Sequence, residues 1–422
     1  MVKEGYKEAN IGPLDYKIPV NWDIDYISDI ESLELLSSGI NNFKGEKKYL
    51  STSSIERNKI IEIEELIEYK QRPSRANMQP VIDSVWFAKM KDTVKVYSYI
   101  EKNKNEIKEY IMSTGFIGIK CKENISVEFL NQYFLWNQFN KIKNVYSHGS
   151  TQQAVNMKDV RNLKLIIPPL PEQQKIASIL SSVDKSIEKT DEVIEETKEL
   201  KKGLMQVLLT KGIGHSEFKE VRVGTKIIKI PKEWDLLQFD KVYKKRNKRN
   251  KDDENYNYIG LEHIESGNIN LAGYDNNGQE RSSSRMFETG DILYGKLRPY
   301  LDKAAISKFD GICSTDIIPM YSTKLSTNKY LLYILHSKFF IDFAVSTMEG
   351  TNLPRTSWRV IKNLNIPVPP IKEQKKIASI LSSVDDKIKK EEEYKAKLER
   401  LKKGLMQKLL TGEIRVNTEM EV

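Results

Sequence analysis

Pro168-Pro-Leu-Pro-Glu-Gln-Gln-Lys-Ile-Ala-Ser-Ile-Leu-Ser-Ser-Val-Asp184 returns, 201 positions further on, as Pro369-Pro-Ile-Lys-Glu-Gln-Lys-Lys-Ile-Ala-Ser-Ile-Leu-Ser-Ser-Val-Asp385. The register holds without a gap through Lys201-Lys-Gly-Leu-Met-Gln-Val-Leu-Leu-Thr210 and Lys402-Lys-Gly-Leu-Met-Gln-Lys-Leu-Leu-Thr411. A repeat of this size implies one structural unit used twice. Apolar residues recur at three-four spacing: Ile176, Leu180, Val183, Ile187 and Ile194, then Leu200, Leu204 and Val207. The second copy has Ile377, Leu381, Val384, Ile388, Leu398, Leu401 and Leu405. Charged residues fill most of the other positions, and Pro171 falls in the first turn, where its missing N–H costs nothing. Residues 172–209 and 373–410 therefore each predict one long helix of coiled-coil character, with a polar weak point near Thr190 and Glu391.

The duplication extends outward from these helices. Tyr6-Lys-Glu-Ala-Asn-Ile-Gly12, with Ile18-Pro19 and Trp22-Asp23 behind it, matches Phe218-Lys-Glu-Val-Arg-Val-Gly224, with Ile230-Pro231 and Trp234-Asp235. Each half reads as an Ile-Pro-x-x-Trp-Asp opening, a body, a Pro-Pro boundary and a helix. The bodies differ greatly in sequence, so the frame is repeated and its contents are not. The organisation expected is a first body over residues 1–168, a first helical region over 169–211, a second body over 212–369, and a second helical region with its tail over 370–422. If the helices pair, chain order makes them antiparallel and brings the tail back to the first body. Such a molecule has cyclic topology and an approximate two-fold axis. Each helix is expected to span roughly 57 Å at ~1.5 Å per residue.

Short apolar runs bounded by turn residues predict strands at Ser84-Val-Trp-Phe, Phe116-Ile-Gly-Ile, Tyr256-Asn-Tyr-Ile-Gly-Leu, Asp291-Ile-Leu-Tyr and Gly311-Ile-Cys. Helices are predicted around 128–139 and 330–340. The fold class is α+β: two globular bodies of mixed helix and strand, separated by two long antiparallel helices.

Composition narrows the function. Among 422 residues, 68 Lys and Arg outweigh 59 Asp and Glu, a net charge of +9 that favours a polyanionic partner. The two cysteines suit a reducing compartment and core positions, and they are too few for a zinc cluster. The four histidines have no metal-ligand spacing. The absence of a long apolar run and of a signal-peptide pattern at Met-Val-Lys-Glu-Gly sets the expectation of a cytoplasmic protein. Gly290-Asp-Ile-Leu-Tyr-Gly-Lys-Leu297 nearly spells a phosphate-binding loop, but Leu297 stands where Ser or Thr must reach magnesium. Trp22 and Trp234 are expected to pack at the helix roots.

The two Ile-Pro-x-x-Trp openings, Gly290-Asp-Ile-Leu with Lys296-Leu-Arg-Pro299, Ser314-Thr-Asp316 and the two Pro-Pro-x-x-Glu-Gln-x-Lys-Ile runs resemble the specificity subunit of type I restriction–modification systems. The likeness covers essentially the whole chain. It implies two target-recognition domains, each reading one half of a bipartite, asymmetric double-stranded DNA site. It also implies two adenine-N6 methyltransferase subunits docked on the repeated helices, with restriction subunits joining them. This chain would bind no cofactor; S-adenosylmethionine, ATP and Mg would belong to the partners. No Asn/Asp-Pro-Pro-Tyr/Phe methyltransferase motif is present. In the first body Lys89-Met-Lys-Asp92 and Ser113-Thr-Gly115 replace the second body's motifs. A stand-alone regulator that self-associates through its helices is the alternative reading.

Candidate DNA contacts follow from residue chemistry. Arg298 has the fork that matches guanine O6 and N7, and Lys296 suits phosphate. Lys244, Lys245, Arg246, Lys248 and Arg249 belong to a basic run that opens the second body, and Arg72 and Arg75 are a sparser analogue in the first. Lys89 and Lys91 align with the Lys296 segment. Gln152 and Gln153 align, at the 201 offset, with the loop that carries Asn352 and Arg355, and all four can read base edges. Helix pairing or partner docking is expected of Ile176, Leu180, Val183, Ile187, Leu200, Leu204, Ile377, Leu381, Val384, Ile388, Leu401 and Leu405.

Overall fold

The computed structural model describes residues 4–63, 65–150, 152–248, 256–276 and 284–419. The chain divides into two compact units, residues 1–189 with 394–422 and residues 190–393. The boundary falls inside both long helices, Leu170–Leu208 and Ile371–Leu409. Each unit thus owns one half of each helix.

In the first unit the start of the first helix packs beside the end of the second. Ile176, Ala177 and Leu180 share a buried core with Met406, Leu409 and Leu410. Lys402 Nζ meets Asp184 Oδ1 at 2.5 Å, and Arg415, past the helix end, holds Glu172 with Nε at 2.9 Å. Partner numbers rise on one helix as they fall on the other, which makes the pair antiparallel. The second unit repeats the arrangement. Met205, Leu208 and Leu209 share a core with Ile377, Ala378 and Leu381, and Lys201 meets Asp385 at 2.6 Å. The chain that leaves the first unit along one helix returns to it along the other, as the sequence predicts.

The Pro-Pro-x-x-Glu-Gln motif acts as the joint between helix and body. Gln173, fully buried, accepts from Ser126 N and donates to the carbonyls of Asn124 and Pro168. Gln374 does the same with Thr327 N, Leu325 O and Pro369 O. Glu172 and Glu373 accept from the indole N–H groups of Trp22 and Trp234, both fully buried. A buried amide satisfied on both sides locks geometry, because any other placement strands its polar atoms.

Each body is closed by pairing the strand that follows its opening hairpin with its last strand: Asp23–Tyr26 with Lys164–Ile167, and Asp235–Gln238 with Asn365–Val368. The opening hairpins, Tyr6–Ile11 with Leu14–Pro19 and Phe218–Val223 with Lys226–Pro231, have matching registers. The first unit adds two four-stranded sheets, and the second adds one of four and one of three. The predicted strands at Ser84–Ala88, Phe116–Cys121, Ile292–Gly295 and Gly311–Cys313 are present. The run at Tyr256 gives only Tyr258–Ile259. The predicted body helices are each two helices. One pair, Val127–Leu135 and Asn137–Val145, breaks at Trp136, and the other, Asn328–Leu335 and Lys338–Ser346, breaks at His336 and Ser337.

Three members of the predicted stripe lie outside the buried seam. Leu200 and Leu401 are 55% and 51% exposed, and Val207 is also exposed. The predicted Ile194 is buried, Thr190 and Thr197 take buried positions beside it, and Met205 and Leu208 follow. The polar stretch carries the buried face past the leucines that the earlier spacing picks out. Ile176, Leu180, Ile187, Ile377 and Leu381 are buried, while Val183, Leu204, Val384, Ile388 and Leu405 are half-buried. No helix among the described residues is long and apolar enough to cross a membrane.

Candidate nucleic-acid interface

In the second unit three distant segments are laced together by their backbones. The strand Ile292–Gly295 runs out at Lys296, whose N–H donates to Asp316 O at 2.9 Å and whose carbonyl accepts from Thr356 N at 3.0 Å. Arg298 N donates to Pro354 O at 2.8 Å, with Leu297 opposite Arg355. Arg298 itself sits in the left-handed region at φ +50°, which turns the chain and leaves its side chain exposed. Glu349 and Arg355 exchange two backbone hydrogen bonds of 2.9 Å around a loop that starts at Gly350, φ +97°. Lys296, Arg298, Asn352 and Arg355, separate in sequence, therefore share one surface.

Their side chains are ordered by a residue that the list of candidate contacts omits. Asp316 accepts from Arg355 Nε at 2.8 Å and Nη2 at 3.4 Å, and lies 3.8 Å from Lys296 Nζ. Arg355 Nη1 donates to Leu353 O. Burial pulls the Lys296 ammonium below the usual lysine range, opposed by Asp316. Tyr300, on the turn just after Arg298, is half exposed and adds an aromatic face.

The first unit ties the same knot. Lys89 N donates to Gly115 O at 2.9 Å, Val155 N to Lys89 O at 3.1 Å, and Lys91 N to Gln153 O at 2.9 Å, with Met90 opposite Ala154. His148 and Ala154 exchange the two bonds that close the loop, which starts at Gly149, φ +131°. A Cβ at Gly149 would lie 2.5 Å from Gln152 O, so this turn requires glycine. The side chains, however, are different. Lys91 Nζ donates to Gln153 Oε1 at 2.7 Å, Gln152 is exposed, and Gly115 and Ala154 replace Asp316 and Arg355. Arg75 is exposed and stands beside the knot, its carbonyl accepting from Thr114 N at 2.8 Å.

A second unforeseen residue supports this turn from below. Lys143 is almost wholly buried, and its ammonium donates to the carbonyls of Ala88, Met90 and Thr93 at 3.1, 2.9 and 2.6 Å. Burial lowers its pKa to about 8, opposed by Asp92. No motif marks such a lysine in the sequence; only the fold shows the carbonyls that converge on it.

Other predicted contacts are engaged inside the protein. Arg246 grips the buried Asp291 with Nε at 2.5 Å and Nη2 at 3.0 Å, reaches Glu288 at 2.7 Å, and lies over the Tyr321 ring. Arg72 stacks on Tyr69 at 4.3 Å and donates to its carbonyl. Both cations are thus held within the protein, Arg246 by two carboxylates and a ring and Arg72 by the ring and carbonyl of Tyr69. Lys244 is exposed on a strand paired with Tyr321, Lys245 is half-buried, Lys248 is exposed, and Arg249 lies outside the described residues.

Glu262, His263 and Asp275 bring potential metal ligands within 4.8 Å of one another. The His263 Nδ1 accepts from Gly260 N at 3.0 Å, so a neutral ring carries its proton on Nε2, the nitrogen facing Asp275. In that tautomer the nitrogen offers no lone pair to a cation.

Comparison with known proteins places this architecture. The profile of the type I restriction modification DNA specificity domain matches residues 19–199 and again 231–400. The MjaVIII specificity subunit of Methanocaldococcus jannaschii, a type I restriction enzyme component, is 25% identical over 452 residues, covering 99% of this chain and 98% of that one. The EcoDI specificity subunit of Escherichia coli is 26% identical over 312 residues, covering 67% and 70%. A chain from a solved type I restriction–modification assembly superposes with a TM-score of 0.59 at 17% identity, over 94% of this chain and 100% of that one. That last likeness bears on fold.

Proposed function

The chain belongs to the type I restriction–modification DNA specificity family, and from that premise we propose that it is the subunit that selects the DNA sequence on which partner subunits act. One observation supports a division of labour most directly: the same backbone knot occurs in both units and presents unlike side chains. Each knot then reads one half of a bipartite site, Arg75, Lys89, Lys91, Gln152 and Gln153 in one unit and Lys296, Arg298, Asn352 and Arg355 in the other. The frame fixes where a reading surface stands, and the substituted side chains decide what it reads.

Positive charge supplies the sequence-independent part of the affinity. The +9 net charge and the exposed lysines draw in the phosphate backbone, so binding falls steeply as salt rises. Two methyltransferase subunits dock on the repeated helical faces, where Leu200 and Leu401 are equivalent and exposed. S-adenosylmethionine, ATP and Mg are then used by the partners, with this chain contributing recognition and assembly in the cytoplasm.

The deciding experiment is to exchange the two bodies' loops and map N6-methyladenine. Transfer of residues 350–357 into the first body should alter one half of the methylated site only. Deleting two turns from both long helices together should shorten the spacer. An unchanged site in both variants would defeat this reading.

A further inference from the structure

We propose that Asp316 is a positioning residue that aims Arg355 at a guanine, and that the first unit has no equivalent device. The inference deepens the specificity reading above and rests on it. Arg355 has five N–H groups. Asp316 takes Nε–H and one of the two on Nη2, and Leu353 O takes one on Nη1. One N–H remains on each terminal nitrogen, the two donors needed to grip guanine O6 and N7 side by side. With 38% of its side chain exposed, Arg355 can present that pair outward, while Asp316 at 22% stays behind it. The backbone bonds of Lys296 to Asp316 O and of Arg355 to Glu349 fix both ends of the pair. A guanidinium already clamped loses less rotamer freedom on binding, which is the gain a positioning carboxylate provides.

The first unit lacks both partners together. Gly115 and Ala154 stand at the matching points of the knot, and a Cβ on Gly115 would lie 3.0 Å from Thr52 Cγ2, leaving little room for an acid. Joint absence is what a working pair predicts, since either member without the other presents an unbalanced charge.

A rival account makes Asp316 a mere neutraliser of local positive charge. The two accounts predict opposite signs. Removing a carboxylate that only opposes phosphate tightens binding to every sequence. Removing a positioning carboxylate weakens one base contact.

The test uses the full chain assembled with its methyltransferase subunits, on duplexes carrying the mapped methylation site. Each guanine is replaced in turn by 7-deazaguanine, which lacks the N7 acceptor. With the unaltered chain, one guanine in one half-site should cost about tenfold in affinity on replacement. Arg355→Ala should abolish that sensitivity, and Asp316→Ala and the isosteric Asp316→Asn should each reduce it. In the Arg355→Ala background, Asp316→Ala should have no further effect. General tightening by Asp316→Ala, or an Arg355→Ala chain as sensitive as the original, overturns the proposal while leaving the specificity reading intact. A chain that confers no preferred site defeats both.

Discussion

Lys402 Nζ lies 2.5 Å from Asp184 Oδ1, and the same two residues of the repeat meet with their order exchanged, Lys201 on Asp385 at 2.6 Å. Each aspartate also binds its own body, Asp184 through Gln132 Nε2 and Asp385 through the Tyr333 hydroxyl. The carboxylate therefore joins body, first helix and second helix at one point. The side chains of both pairs are 12–21% exposed, so water screens them weakly. Lys402→Ala or Lys201→Ala should each destabilise its own unit by ~1–3 kcal/mol by leaving a charge-assisted bond unmade. Denaturant melts with a fluorescent probe in each unit would check this; equal loss in both units from one substitution would contradict it.

Glycine at the end of each long helix is the second test. Gly412 at φ +70° faces Pro19 and Trp22, and Gly212 at φ +67° faces Glu373 and Trp234. A methyl group at either position would be strained by its backbone and blocked by a buried indole. Gly412→Ala and Gly212→Ala should each cost ~1–3 kcal/mol, visible as a lowered melting temperature.

Leucines on the two sides of the helices should behave oppositely. Leu180→Ala removes a fully buried side chain and should cost ~2–5 kcal/mol. Leu200→Ala and Leu401→Ala should change stability by less than ~0.5 kcal/mol and weaken capture of methyltransferase subunits. Calorimetry and co-purification read the two effects separately.

Lys143 makes stability depend on pH in a definite direction. Its folded pKa, about 8, lies below the ordinary lysine value, so between the two the unfolded chain binds more protons. Its contribution to stability therefore rises with pH from about 8 upward, even as the neutral amine gives up one of three carbonyl bonds. Lys143→Met should remove that rise. The difference between wild-type and variant melting temperatures, followed from pH 7 to 10, provides the measurement; a difference that does not vary with pH would count against the argument.

Both thiols should be inert in the folded chain. Burial pushes Cys121 and Cys313 up to about 12, which leaves almost no thiolate at pH 8. Alkylation by iodoacetamide should appear only on unfolding.

Much of this was legible before any coordinates. A repeat spaced by 201 residues suggests its own topology, because the first helix ends where the second body begins and the second helix starts where that body ends, so that a pair of them runs antiparallel, and the second hairpin marks where the chain returns. The closing loops follow from the same 201-residue register, and the Trp22 and Trp234 positions and the correspondence of Lys89 with Lys296 from the order of motifs within each half. The exposure of Leu200 and the protein partners of Arg246 and Arg72 were not legible there. Helical spacing gives a face only while the seam stays apolar, and Thr190 and Thr197 carry it past the point where the rule holds. Charge in a sequence likewise says nothing of what stands opposite in space.

The order of elements, the doubled frame and the pairing sense of the helices were thus written in the residues, since periodicity and repetition are one-dimensional properties that survive translation into structure. The fold alone decided which cations remain available. Asp291 neutralises Arg246, Asp316 orients Arg355, and three carbonyls capture Lys143, each through contacts between residues 39 to 55 positions apart. Electrostatic partnership depends on distances of a few ångströms, and those are set only when the chain has closed on itself.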